Sequence, residues 1–112
     1  MMRQFMTSVV EQRKDFVGSF STHPMEAGWA REAIFFITVE NVAGEGALLN
    51  TRVQISVDGV YWLDEGTSFE PIGKKGRYFV RVSHFGGWLR LQGEIAGEAS
   101  IFNLTIHLVI KE

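Results

Sequence analysis

The sequence predicts an all-β fold: a single antiparallel β-sandwich of jelly-roll type, with a small closed barrel as the alternative. Three observations predict it. Residues 101–110 (IFNLTIHLVI) alternate apolar and mixed positions for ten residues, the longest clean period-two run in the chain. Further short β-prone runs are separated by turns rich in Gly, Pro and Asp. No stretch carries the 3.6-residue periodicity of a long helix.

The chain has 112 residues, 46% of them hydrophobic and 21% charged. That is ordinary globular composition, and the length suits one domain with one core spanning residues 1–112. The formal net charge of −2 offers no basic excess for binding nucleic acid through its phosphates. The absence of cysteine removes disulfides, thiolate metal sites and a cysteine nucleophile. No run approaches the ~20 apolar residues of a membrane helix. The first 16 residues lack the apolar core of a secretory signal, so the expected location is the cytoplasm or a virion, with no membrane contact.

Residues 1–16 read as a strand through 5–10, favoured by Thr7, Val9 and Val10; the alternative is a short helix carrying Phe5, Val9 and Phe16 on one face. Residues 11–15 read as a charged turn and 16–20 as a short strand. Residues 21–31 (STHPMEAGWAR) form a loop, because Pro24 cannot donate to a ladder, with a brief helical turn at 25–27. Loops carry function, which makes His23, Glu26 and Trp29 candidates; Trp29 otherwise caps the core.

Residues 33–42 (AIFFITVENV) are the most apolar segment. Phe35, Ile37 and Val39 point one way, Phe36, Thr38 and Glu40 the other. Apolar character on both faces predicts a central strand, or one whose outer face meets a partner. Residues 49–63 (LNTRVQISVDGVYWL) read as a hairpin with Asp58-Gly59 as a two-residue turn and a second strand resuming at Val60. Residues 64–68 read as a polar turn. Gly73-Lys74-Lys75-Gly76 reads as a solvated tip lacking the pattern of a phosphate loop. Residues 77–83 alternate again, with Arg77, Phe79 and Arg81 on one face. Residues 88–92 form the next strand, Leu89 and Leu91 inward, and Trp88, Arg90 and Gln92 together on the face opposite. Residues 93–100 read as a turn.

Catalytic chemistry finds little support. His23, His84 and His107 form no metal-binding pair at His-x-His or His-x-x-x-His spacing. The carboxylates Asp58, Asp64, Glu65 and Glu70 sit at turns. No Gly-x-Ser-x-Gly elbow is present. The expectation is a protein that is not an enzyme and takes no metal or cofactor. Binding is better supported. Trp88, Arg90 and Gln92 share a face suited to stacking on a ligand or subunit. Phe35, Trp29 and Trp62 complete the interface or ligand candidates.

The motif Ser56-Val57-Asp58-Gly59-Val60-Tyr61-Trp62, followed by Gly86-Gly87-Trp88-Leu89-Arg90-Leu91, resembles small bacterial and phage β-sandwich modules with a Ser-x-Asp-Gly-x-x-Trp hairpin and a later Trp-Leu-Arg strand. Discoidin-like domains have a similar hairpin but are longer. The resemblance covers residues 33–110 and implies a sandwich related to virion accessory or assembly proteins, with no catalytic residues carried over. The expected function is therefore a self-associating structural module, a homo-oligomer with a second copy as its partner. The competing expectation is a carbohydrate-binding module, for which two exposed coplanar tryptophans beside polar side chains would be diagnostic.

Overall fold

The computed structural model describes residues 4–83 and 85–112, so the expectation attached to His84 lies outside the described residues. Nine strands follow in order: β1 (Phe5–Phe16), β2 (Ser19–Ser21), β3 (Met25–Glu26), β4 (Glu32–Ala43), β5 (Leu48–Ser56), β6 (Leu63–Ser68), β7 (Gly76–Ser83), β8 (Trp88–Ala96) and β9 (Ile101–Lys111). No helix occurs among the described residues. One sheet has the order β1-β9-β4-β7. The other has the order β2-β8-β5-β6, with β3 also pairing to β8. All pairings are antiparallel.

The pairing is nested: β1 with β9, β2 and β3 with β8, β4 with β7, β5 with β6. That nesting is the rolled hairpin of a jelly roll, and the two sheets do not close into a barrel. Pro24 explains why β2 and β3 are separate pieces of one strand position. It has no N–H to offer β8, and Thr22 bridges the gap: its amide donates to the Leu91 carbonyl and its hydroxyl accepts from the Leu91 amide, both at 2.9 Å.

The core lies between the sheets. Phe35, Ile37 and Val39 of β4, Leu89 and Leu91 of β8, and Phe102, Leu104, Ile106, Leu108 and Ile110 of β9 are all buried. Period-two alternation in these strands does what the pattern predicts, sending one set of side chains to the core.

Several expected turns are strands. Residues 11–15 continue β1 across two register shifts, with Arg13 at φ 45°; the Arg13 amide donates to Thr105 Oγ1 at 3.1 Å. A bulged, charged edge strand looks like a turn in sequence, because its charges protect an open edge instead of filling a core. Residues 64–68 belong to β6, also an edge strand. Met25 and Glu26 are strand, not helical turn. Residues 93–96 extend β8. There Gly93 lies opposite Phe20, and the Phe20 ring occupies the space where a Cβ would stand.

The central hairpin is real, but its loop spans residues 57–62 and β6 begins only at Leu63. The reason is local. Ser56 Oγ accepts from the amides of Asp58 (3.3 Å) and Gly59 (2.8 Å), and Asp58 Oδ1 accepts from those of Val60 (2.9 Å) and Tyr61 (3.1 Å). Four amides that a ladder would need are satisfied by side chains instead.

Candidate interaction surfaces

The two outer faces of the sandwich differ in chemistry. On the second sheet, Arg90 of β8 lies opposite Gln54 of β5, which lies opposite Asp64 of β6. The side chains join along that row. Arg90 Nε donates to Gln54 Oε1 at 2.8 Å, and Gln54 Nε2 donates to Asp64 Oδ1 at 2.9 Å. The same Asp64 oxygen accepts from Arg52 Nε at 2.9 Å, and Arg52 Nη1 lies 3.6 Å from Glu94. One register step along, the Ser21 hydroxyl donates to Gln92 Oε1. Gln54 is the keystone and is itself buried.

These contacts set the ionisation of the row. Hydrogen bonds from Gln54 and Arg52 hold the Asp64 carboxyl below its ordinary range. Burial lowers the Arg90 guanidinium from its ordinary value, yet a guanidinium stays charged in a protein. Arg90 also stacks on Trp62, its guanidinium carbon 4.3 Å from the ring centroid, a cation–π contact.

The structure places the predicted residues as follows. Trp88, Arg90 and Gln92 share the outer face of β8, as their spacing requires. Trp62 joins Arg90 there. Trp88 is half-buried, because residue 59 of the loop sits on it: a Cβ at Gly59 would lie 3.2 Å from the Trp88 ring, and Gly59 adopts φ +81°. The positive φ favours glycine there, and a Cβ would sit tightly on the Trp88 ring. Trp29 packs half-buried against the core from the other end of β3. None of the three tryptophans is fully exposed. Phe35 is corrected: it is 0% exposed in the core, so it offers nothing to a ligand or partner. Its neighbour Phe36 faces outward instead.

Two groups depend on strand register, although the outer face of residues 33–42 was expected to meet a partner. Arg52 and Gln54 show in sequence only as alternation and Asp64 only as a turn carboxylate, since their partners depend on strand register. The second group lies on the outer face of the first sheet. Val9, His107, Phe36 and Phe79 stand side by side across all four strands, and Thr7, Val109, Ile34 and Arg81 form the adjacent row. Val9 is 53% and Phe79 50% exposed; Phe36, Ile34, His107 and Val109 are half-buried. The rings of Phe36 and Phe79 lie 5.9 Å apart, and the Arg81 guanidinium carbon is 5.0 Å from the Phe79 ring. This is a contiguous apolar stripe facing outward.

A third apolar surface is the 57–63 tip. Val57, Val60, Tyr61 and Leu63 are its exposed members, and beside them runs an almost wholly apolar cleft of about 240 Å³ that reaches Gly86. Asp58 is held below its ordinary range by the Val60 and Tyr61 amides and by Ser56, which fixes the tip's shape. Among the described residues no cluster of three or more His, Asp or Glu side chains is placed to hold a metal ion, and no helix is long and apolar enough to cross a membrane.

No protein-family model matches the chain, and no curated protein sequence does. Solved structures do. The chain is similar to the SPBc2 prophage-derived protein YomS, with a TM-score of 0.63 at 7% identity, covering 100% of this chain and 96% of that one. It is also similar to a chain in the structure of infectious bursal disease virus, Gx strain, with a TM-score of 0.59 at 9% identity, covering 97% of this chain and 32% of that one. What is shared is the fold. The sandwich expected from sequence thus has counterparts in a prophage protein and a virus, while the Ser-x-Asp-Gly-x-x-Trp motif takes no support from them.

Proposed function

We propose that this chain is a non-enzymatic structural module, phage-like in kind, that self-associates through the outer face of its β1-β9-β4-β7 sheet. The observation that carries the reading is the stripe Val9–His107–Phe36–Phe79 with Ile34 and Val109 beside it. An apolar band crossing a whole sheet face, on a domain this small, favours burial against a partner, and homo-oligomers are the commonest way to bury it. A fold shared with a prophage-derived protein and with a virus structure suits a virion-associated role, since the jelly roll recurs in viral capsid domains.

The carbohydrate-binding alternative has lost its aromatic platform. Trp62 is stacked by Arg90, Trp88 is covered by the loop at Gly59, and Trp29 packs on the core. Sedimentation equilibrium across a concentration series tests the proposal. The expected result is a mass that rises from 12.6 kDa to a multiple of it. A mass fixed at the monomer value at every concentration would refute the reading.

A further inference from the structure

The stripe needs a mate, and the charges around it decide which. Arg77 and Arg81 stand beside Phe79 on β7, the edge strand, and neither makes an ion pair among the described residues. Packing two stripes face to face about an axis across the strands would lay β7 on β7 and gather four arginines. About an axis along the strands, β7 would lie over Thr7 and Val9 of β1, which carry no charge. Neither arrangement answers the arginines.

The 57–63 tip does. It presents Val57 (91% exposed), Val60 (68%), Tyr61 (79%) and Leu63 (69%), the densest exposed apolar group among the described residues. Asp58 lies within it and Glu65 just beyond it, and neither makes an ion pair among the described residues. The tip is also rigid: Ser56 and Asp58 hold its amides, and Trp88 supports it from below. A pre-shaped loop loses little entropy on docking.

We infer that the 57–63 tip of one copy docks on the Val9–Phe36–Phe79 stripe of the next, apolar on apolar, with Asp58 and Glu65 set towards Arg77 and Arg81. This rests on the self-association reading above and names its geometry. The contact is heterologous: each copy offers a tip and a stripe, and the two are different surfaces. Such contacts propagate into a ring if the rotation closes and a filament if it does not. A loop docking on one band of a sheet buries less than the ~800 Å² per partner of a standard interface, so each contact is weak and the assembly depends steeply on concentration.

A mixing experiment separates the possibilities. One variant loses the tip (Val57→Ser with Tyr61→Ser); the other loses the stripe (Phe79→Ser with Arg81→Ser). All four side chains point to solvent, so both variants should keep the wild-type circular dichroism. Should either pair unfold, Leu63→Ser and Val9→Ser serve in its place. The inference predicts that each variant alone is monomeric, because it lacks one half of every contact. Mixed in equal amounts they should form a one-to-one pair, twice 12.6 kDa, that grows no further, since the intact tip of one meets the intact stripe of the other. A tip variant that assembles like wild type overturns the inference and leaves the self-association reading standing. So does a mixture that stays monomeric, because then the two surfaces do not mate with each other. Wild-type protein that is monomeric throughout overturns both.

Discussion

The sandwich has two outer faces, built on the same alternation and finished differently. On the β8-β5-β6 side, every long polar chain in the central row has a partner: Arg90 with Gln54, Gln54 with Asp64, Asp64 with Arg52, Arg52 with Glu94. On the β9-β4-β7 side, the corresponding row is Val9, His107, Phe36 and Phe79, three apolar side chains and one imidazole, with no side-chain hydrogen bond joining them. A hydrogen-bonded face is complete in water. An apolar one is complete only when covered. On the proposed function, that difference assigns the contact with a second copy to the apolar face.

Substitutions on each face should separate association from folding. Phe79→Asp has the largest expected effect. A charge at the β7 end of the stripe should weaken self-association by about 100-fold, roughly 2.8 kcal/mol, while the denaturation midpoint of the monomer barely moves because the side chain is outside the core. Dilution-dependent light scattering reads the first quantity and urea unfolding the second.

On the opposite face the pattern should invert. Gln54→Ala removes both halves of the bridge between Arg90 and Asp64; Asp64 keeps Arg52, while the half-buried Arg90 guanidinium loses its hydrogen-bond partner. It should cost about 1–3 kcal/mol of folding stability and leave the association constant where it was. If Gln54→Ala dissociates the assembly, the second face is also an interface and the contrast is wrong.

Gly93→Ala probes the packing beneath that face. Its new methyl meets the Phe20 ring, and overpacking of this kind costs about 1–3 kcal/mol. The accompanying readout is the Phe20 ring environment, which should shift in the aromatic NMR signals while the stripe's signals stay put.

The smallest effect belongs to pH. Asp58 titrates below its ordinary value because the folded loop hydrogen-bonds its charged form. A group with a depressed folded pKa adds stability above its unfolded pKa, about 3.9, and that stability is lost as pH falls through the folded value. The protection factors of the Val60 and Tyr61 amides, corrected for intrinsic exchange, should therefore fall below about pH 4, and Asp58→Asn should flatten that dependence. Unchanged protection in acid would mean that Ser56 and Trp88 hold the loop without the Asp58 charge.

The strands that sequence made legible are the central ones. β9 and β4 are flanked on both sides, so their alternation reflects a core on one face, and the reading of residues 101–110 carried straight into the structure. The polar edge strands hid, whereas the edge strand β7 (GRYFVRVS) kept enough apolar alternation to be read. β6 (LDEGTS) and the second half of β1 (EQRKDF) are polar because edges must be, and polarity mimics a turn. Phe35 and Phe36 show the limit within a single strand. Both faces of β4 are apolar, so composition alone does not say which phenylalanine faces in; that follows from pairing with β9 and from the second sheet above. The Trp88-Arg90-Gln92 face was readable from spacing on one strand. Its continuation through Gln54 to Asp64 needed the register of three strands, which no single segment encodes. Residues 60–62 read as strand because Val60, Tyr61 and Trp62 have strong β-propensity; the side chains of Ser56 and Asp58 override it.

The contrast between the two faces is tested most directly by chemical-shift mapping on the wild-type chain as its concentration is raised. The prediction is that signals from Val9, Phe36, Phe79 and Val109 move together, while those of Arg52, Gln92 and Glu94 on the other face hold still. Shifts confined to the Arg52–Gln92 face, or none at all up to the solubility limit, would contradict it.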